Sequence, residues 1–430
     1  MIVRLCVLLA LLITTPAAAQ TVQHPHVAWS RNATIYEVNI RQYTPEGTLT
    51  AFEAHLPRLQ KMGVKILWIM PIQPIGEKNR KGSKGSYYSI RDYTAVNPEF
   101  GTMADFRRLV KAAHARGMKV ILDWVANHTA WDSRWAIAHP DWFKRNAQGA
   151  LTSYEYDNGH EIEYWTDVVG LDYRNPAVWD AQIAAMAFWV KEADIDGFRC
   201  DVASLMPIPF WIKARAQLDR LKPMFMLAES NDPAIHAAFD MTYDWGLLDA
   251  FADIADGKAR ADALRRWLAT RDRGFPADNF RMTFTSNHDV NSWRWGDTEK
   301  YGPRFPAFAV LAATLPGMPL VYSGQEAGLD RRIAFFEKDP IAWGAYRHAA
   351  LYRQLLTLKA RNPALTNGAA GGTPEMLDAG NPDIFAFRRA VGRHAVTVAV
   401  NLSDRQVTLP ALPGLRAQML PAWGYAFTTR

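Results

Sequence analysis

The sequence predicts an α/β protein: a (β/α)8 barrel with a short subdomain inserted after the third strand and a small antiparallel β domain at the C-terminal end. Three observations predict it. Short apolar runs rich in β-branched and aromatic residues alternate with amphipathic helical stretches, the pattern of βα units around a parallel sheet. Eight such units can be counted, enough to close a barrel. No glycine-rich phosphate loop follows the first strand, as a nucleotide-binding open sheet would require.

The predicted strands span 34–40, 65–70, 119–124, 196–201, 224–228, 238–242, 281–285 and 320–322, the sixth having the weakest apolar pattern. A helix over 103–116 has Thr102 as its N-cap, apolar Phe106, Leu109, Val110 and Ala113 on one face, and Gly117 as its stop. Segment 129–170, rich in Trp, Tyr, His and Asp, is too long for a simple βα loop and predicts the inserted subdomain. From about 372 onward, alternating runs at 384–388, 396–401 and 416–420 lie between Gly, Pro and Asn turns, which predicts antiparallel strands.

At the N-terminus, Arg4 precedes an apolar run through Ile13 that is too short to span a bilayer, and Ala17-Ala18-Ala19 follows. This is the pattern of a signal peptide cleaved after Ala19, so the protein is expected to be secreted or periplasmic, with no membrane attachment once the signal is removed. The expected division is signal peptide 1–19, barrel 20–371 with its insertion at 129–170, and C-terminal β domain 372–430. Cys6 leaves with the signal. Cys200 then remains alone, and an intramolecular disulfide is excluded. The 430 residues, 49% hydrophobic, suffice for a large core. With 49 basic against 43 acidic residues and no block of like charge, a nucleic-acid partner and a polybasic membrane patch are not expected.

In a (β/α)8 barrel, chemistry is done where the strands end at the C-terminal face. Strand three runs into Asp123 and on to Asn127-His128; strand four closes as Arg199-Cys200-Asp201; strand five closes at Glu229; strand seven leads into His288-Asp289. Arg199 and Asp201 are two apart and must face the same side, while Phe198 and Cys200 face the other. An arginine beside Asp201 favours its ionised form, and apolar Leu227 and Ala228 favour a protonated Glu229. Two carboxyl groups in opposite protonation states are what glycosidic cleavage with retention requires: one attacks the anomeric carbon while the other, about 5–5.5 Å away, protonates the departing oxygen. Asp289, with His288 and His128, would bond sugar hydroxyls. A lone aspartate at a strand end is more often a helix cap; the constellation, not any single residue, carries the reading.

These residues resemble the α-amylase family of glycoside hydrolases. The segment Asp123-Trp-Val-Ala-Asn127-His128 is similar to the family's first motif, Gly197-Phe-Arg-Cys-Asp201 to the second, Glu229 to the third and Phe284-Thr-Ser-Asn-His288-Asp289 to the fourth. The resemblance implies Asp201 as nucleophile, Glu229 as general acid/base and Asp289 as transition-state stabiliser. It implies Tyr88, Asp123, His128, Arg199 and His288 as the residues that hold the cleaved sugar, with Tyr88 stacking on it. Ser86 stands where many members have a histidine. The family's calcium site would draw on Asn127 and on an aspartate and a histidine at the positions of Gly170 and Leu205; this chain supplies only the first, so no cofactor is expected to be required and calcium is left as the alternative.

The expected substrate is an α-glucan or maltooligosaccharide cleaved at α-1,4 bonds. The same three carboxylates would serve a transglycosylase or an exo- or α-1,6-acting α-glucosidase, and the motifs do not separate these. A non-catalytic glycan-binding barrel is opposed by the intact acids. A metal-dependent hydrolase is opposed by the lack of a His-x-His on the first strand, His24 and His26 reading as linker. Trp131, Trp142, Trp165, Trp293 and Trp295 fall in loops near the predicted mouth, as sugar platforms or as loop anchors.

Overall fold

The structure, a computed structural model, describes residues 24–157 and 159–430. The expected signal peptide lies outside the described residues.

The first twelve strands are β1 (Ile35–Val38), β2 (Ile66–Ile69), β3 (Lys119–Trp124), β4 (His128–Ala130), β5 (Tyr154–Asp157), β6 (Ile162–Trp165), β7 (Val168–Gly170), β8 (Gly197–Cys200), β9 (Phe225–Ala228), β10 (Met241–Tyr243), β11 (Phe280–Thr283) and β12 (Met318–Tyr322). Eight of them, β1, β2, β3, β8, β9, β10, β11 and β12, form a closed parallel barrel. The remaining four belong to the insertion, where β4 pairs with β7 and β5 with β6 as antiparallel ladders.

Strand alternation sorts the barrel residues into two cores. Ile35, Ile66, Trp68, Ile121, Phe225, Leu227, Met241 and Met282 fill the interior, while Tyr36, Leu67, Val120, Leu122, Phe198 and Met226 face the surrounding helices. Cys200 is buried on that outer face. Gly197 sits where β8 and β9 crowd together: a Cβ there would fall 1.9 Å from the Phe225 carbonyl oxygen, so only glycine permits the approach.

The sixth strand begins later than its sequence pattern predicts. Residues Pro233–Ala237 form a 3-10 turn, and Asp240 is committed before the strand starts. Its buried carboxylate accepts hydrogen bonds from Arg215 Nη1 and Met226 N, each at 2.8 Å. His26 is not linker. Its ring stacks on Phe280 at 3.8 Å, with Nδ1 2.9 Å from Asp240 Oδ1 and Nε2 2.6 Å from the Asp278 carbonyl, tying the N-terminal segment to residues that lead into β10 and β11.

The helix Met103–His114 starts at a capping box, Thr102 bonding Asp105 N while Asp105 bonds back, and buries the four apolar residues expected of it. The C-terminal strands are β13 (Glu375–Met376), β14 (Ile384–Val391), β15 (His394–Asn401), β16 (Val407–Leu409), β17 (Gln418–Leu420) and β18 (Tyr425–Thr429). They make an antiparallel sheet in the order β13-β14-β15-β18 and a separate β16-β17 ladder. Among the described residues no helix is long and apolar enough to cross a membrane.

Candidate active site

The parity that fills the barrel interior also selects the site. Continuing the inward-facing series toward the C-terminal end replaces apolar residues by polar ones: Ile35 leads to Glu37, Ile121 to Asp123, Gly197 to Arg199 and Asp201, Leu227 to Glu229, and Met241 to Tyr243. Strands β3, β8, β9 and β10 are consecutive in the barrel and only β2 separates β1 from β3, so their polar ends converge without help from any long loop.

Arg199 stands at the centre and is fully buried. Its Nη1 donates to Asp123 Oδ1 and to Asp201 Oδ1, each at 2.9 Å, and its Nε donates to the Tyr243 hydroxyl at 3.1 Å. Nη2 lies 2.8 Å from Glu229 Oε2. Asp201 and Glu229 are therefore gripped by the two ends of one guanidinium, and both line one cavity of about 700 Å³. Glu229 Oε2 also accepts the Val202 N–H at 2.8 Å. Val202 is held at φ +38°, a left-handed conformation that a β-branched side chain resists, so the site stores backbone strain where it presents that N–H.

The expectation that Arg199 leaves Asp201 an ordinary anion is corrected. Burial pushes the Asp201 carboxyl well above the usual aspartate range; Arg199 opposes this, and Glu229, Asp123 and Asp289 add to it. A cluster of carboxylates shares one guanidinium, so each neighbouring carboxylate disfavours a further negative charge on Asp201.

His288 and His128 reach opposite protonation states. Burial alone would lower His288, but Asp289 and Glu37 outweigh it and raise the imidazole to about 9. Its Nδ1 lies 2.5 Å from Glu37 Oε1, and its Nε2 lies 2.7 Å from the Tyr88 hydroxyl and 3.3 Å from Asp289 Oδ2. Tyr88 in turn donates to Asp123 Oδ2 at 3.0 Å, an oxygen that also accepts from Trp68 Nε1 at 3.0 Å. His128, by contrast, is pushed down to about 3, by burial first and then by Lys144. Asn127 Nδ2 donates to its Nδ1 at 3.1 Å, which leaves the ring neutral with its proton on Nε2.

All eight residues singled out from sequence are brought together. Tyr88, His128, Asp201, Glu229, His288 and Asp289 line the cavity, and Asp123 and Arg199 lie directly beneath, bonded to them. Glu37, Trp68 and Tyr243 were missed. The signal for Glu37 was present: a carboxylate in the middle of an apolar strand has to find a buried partner. Of the five loop tryptophans, Trp165 and Trp293 line the cavity. Trp131 donates to the Thr166 carbonyl, Trp142 packs on His139 and Trp135, and Trp295 packs against the barrel core. Ser86 also lines the cavity, its hydroxyl accepting the Tyr88 N–H at 3.1 Å.

The residues at the implied calcium position do not fit that ion. A Cβ on Gly170 would fall 2.7 Å from the Tyr154 ring and 3.3 Å from the Lys144 side chain, so no carboxylate has room there. The Lys144 ammonium lies 4.9 Å over the Tyr154 ring, and Leu205 is an exposed apolar residue. A cation and an aromatic face occupy a place where calcium needs oxygen ligands.

A barrel whose C-terminal end carries paired carboxylates under one cavity has the site of a glycoside hydrolase. The comparisons agree. Residues 25–236 match the model of the alpha amylase catalytic domain. The chain is 31% identical to an α-amylase of known structure from Lactobacillus plantarum, with 94% of this chain and 99% of that chain covered and a TM-score of 0.81. It is 29% identical to an α-amylase from Haloarcula japonica over 89% of this chain and 58% of the relative, so it spans little more than half that protein's length. It is 28% identical to an α-1,4-glucan:maltose-1-phosphate maltosyltransferase from Rhodospirillum rubrum over 85% of this chain and 56% of the relative. The chain belongs to the α-amylase family of glycoside hydrolases.

Proposed function

We propose that this protein, exported from the cytoplasm, hydrolyses the α-1,4 bonds of starch-like glucans or maltooligosaccharides with retention of configuration. The observation that carries the reading is the shared grip of Arg199 on Asp201 and Glu229 within one cavity. Asp201 attacks the anomeric carbon, Glu229 protonates the bridging oxygen and later activates water, and Asp289 stabilises the oxocarbenium-like transition state. The sugar being cleaved lies against Tyr88, where Tyr88, His128 and His288 meet its face and hydroxyls while Asp123 and Arg199 hold those groups in place. Imidazolium at His288 and neutral imidazole at His128 give the sugar one charged and one neutral donor.

The test is a digest of starch, pullulan and maltoheptaose, with the anomer of the new reducing end followed by NMR. Starch and maltoheptaose are expected to release α-anomers first, and no hydrolysis, or β-anomers, overturns the reading. Products longer than the starting maltoheptaose would identify transfer to a second sugar, and preferred cleavage of pullulan would move the specificity to α-1,6.

A further inference from the structure

One side of the cavity is closed by three segments that are bonded to one another. The loop after β2 is pinned to the segment after β12, Ser83 N donating to Glu337 Oε1 at 2.9 Å and Lys84 N to the Phe336 carbonyl at 3.0 Å. The same loop is pinned to the insertion, where Lys81 Nζ lies 3.0 Å from Asp167 Oδ1 and Ser89 Oγ donates to the Asp167 carbonyl at 3.0 Å. Lys81 also sits 5.8 Å over the Phe336 ring, and Phe335 stacks on Tyr88 with ring centroids 6.2 Å apart. Three separate segments thus form one unbroken wall around the Tyr88 side, and Lys81, Asp167 and Phe336 all line the cavity.

The position of the wall relative to the chemistry gives it meaning. The leaving group must depart past Glu229, whereas the sugar that becomes bound to Asp201 stacks on Tyr88. The wall therefore stands beyond that bound sugar, across the path a longer chain would take toward its non-reducing end. We propose that the Lys81–Asp167 ion pair is a latch that closes this end, so that the enzyme works from non-reducing chain ends and releases one or two sugar units at a time. This rests on the hydrolase reading above and deepens it: Lys81 and Asp167 are specificity-determining residues, with no part in bond cleavage.

The experiment uses maltoheptaose labelled at its reducing end, sampled early, with wild type, Lys81→Met and Asp167→Asn. Lys81 is partly exposed while Asp167 is buried, so thermal melting is used to verify that both variants fold. Wild type is expected to give unlabelled glucose or maltose as its only early small product. Both variants are expected to add unlabelled maltotriose and longer fragments, and to raise kcat/KM for soluble starch relative to maltotriose on the order of tenfold, the scale on which a pocket discriminates by steric fit. Early mixed fragments from wild type, or unchanged products in both variants, overturn the latch. A change in Lys81→Met alone also overturns it, by showing that the ammonium binds sugar directly. Wild type inactive on every glucan instead removes the hydrolase reading itself.

Discussion

The floor of the cavity and its rim are built by different rules. The floor, Glu37, Trp68, Asp123, Arg199 and Tyr243, consists of inward-facing residues of the barrel strands, all buried, with Asp123 bonded to Trp68 and Arg199, Arg199 to Tyr243, and Glu37 to His288. The rim, Lys81, Tyr156, Trp165, Trp293, Phe335 and Phe336, comes from loops and the insertion and is held by contacts between segments distant in sequence. A floor set by strand parity fixes charge and protonation to a fraction of an ångström, as bond making needs. A rim set by loop packing decides which substrates reach it. On this division, floor substitutions are expected to change rate and pH dependence, whereas rim substitutions change affinity and product pattern.

The largest expected effect is at the reacting groups themselves. Asp201→Asn is expected to cost roughly 10⁴-fold or more in kcat while maltoheptaose binding by calorimetry survives. Substantial residual turnover would remove Asp201 from the mechanism. In wild type, a nucleophile whose pKa is raised must still lose its proton, so the acid limb of kcat/KM is expected above the ordinary aspartate range of about 4. An acid limb at or below that range contradicts the proposed charge distribution.

Glu37 touches no sugar and tests the floor beneath the reacting groups. Glu37→Gln removes one of the two anions that hold His288 at about 9, so the basic limb of activity should move to lower pH and kcat should fall on the order of tenfold, with a smaller change in KM. A histidine raised from about 6.5 to about 9 contributes stability that is complete below about 6.5 and lost as pH rises through about 9. Thermal melting across that window is expected to show the loss in wild type and a weaker one in Glu37→Gln. An unchanged basic limb would show that the pair is only packing.

On the rim, Trp293→Ala is expected to raise KM several-fold and leave kcat nearly intact, since it removes a stacking face that is more than half exposed. A fall in kcat larger than the rise in KM would break the proposed division. The smallest effect is at Val202, where glycine relieves the positive φ; a gain in stability of about 1 kcal/mol or less is expected, accompanied by lower kcat because the N–H facing Glu229 is less firmly presented.

The same contrast explains what the amino-acid order revealed. Asp123, Arg199, Asp201 and Glu229 were legible because each closes an apolar strand, and period two then dictates which side it faces. The eight barrel strands were legible for the same reason, except that Asp240, a polar residue serving His26 and Arg215, blurred the start of β10. Glu37 was overlooked because its partner His288 comes from the opposite end of the barrel sequence. The rim stayed hidden because a lysine at 81 and an aspartate at 167 carry no mark of each other until the fold brings their loops together. His26 was misread for that reason too, its partners Asp240, Asp278 and Phe280 all lying far along the chain.

Arg199 touches two carboxylates that never need the same charge at the same moment. In the proposed mechanism Asp201 loses its negative charge on becoming an ester, and Glu229, having given its proton away, becomes the anion nearest the freed guanidinium nitrogens. The cation need not travel, because its two arms already rest on both partners. One immobile positive group can thus accompany the negative charge from one half-reaction to the next, so that the proposed covalent intermediate would wait for water in a pocket whose net electrostatic balance has not changed.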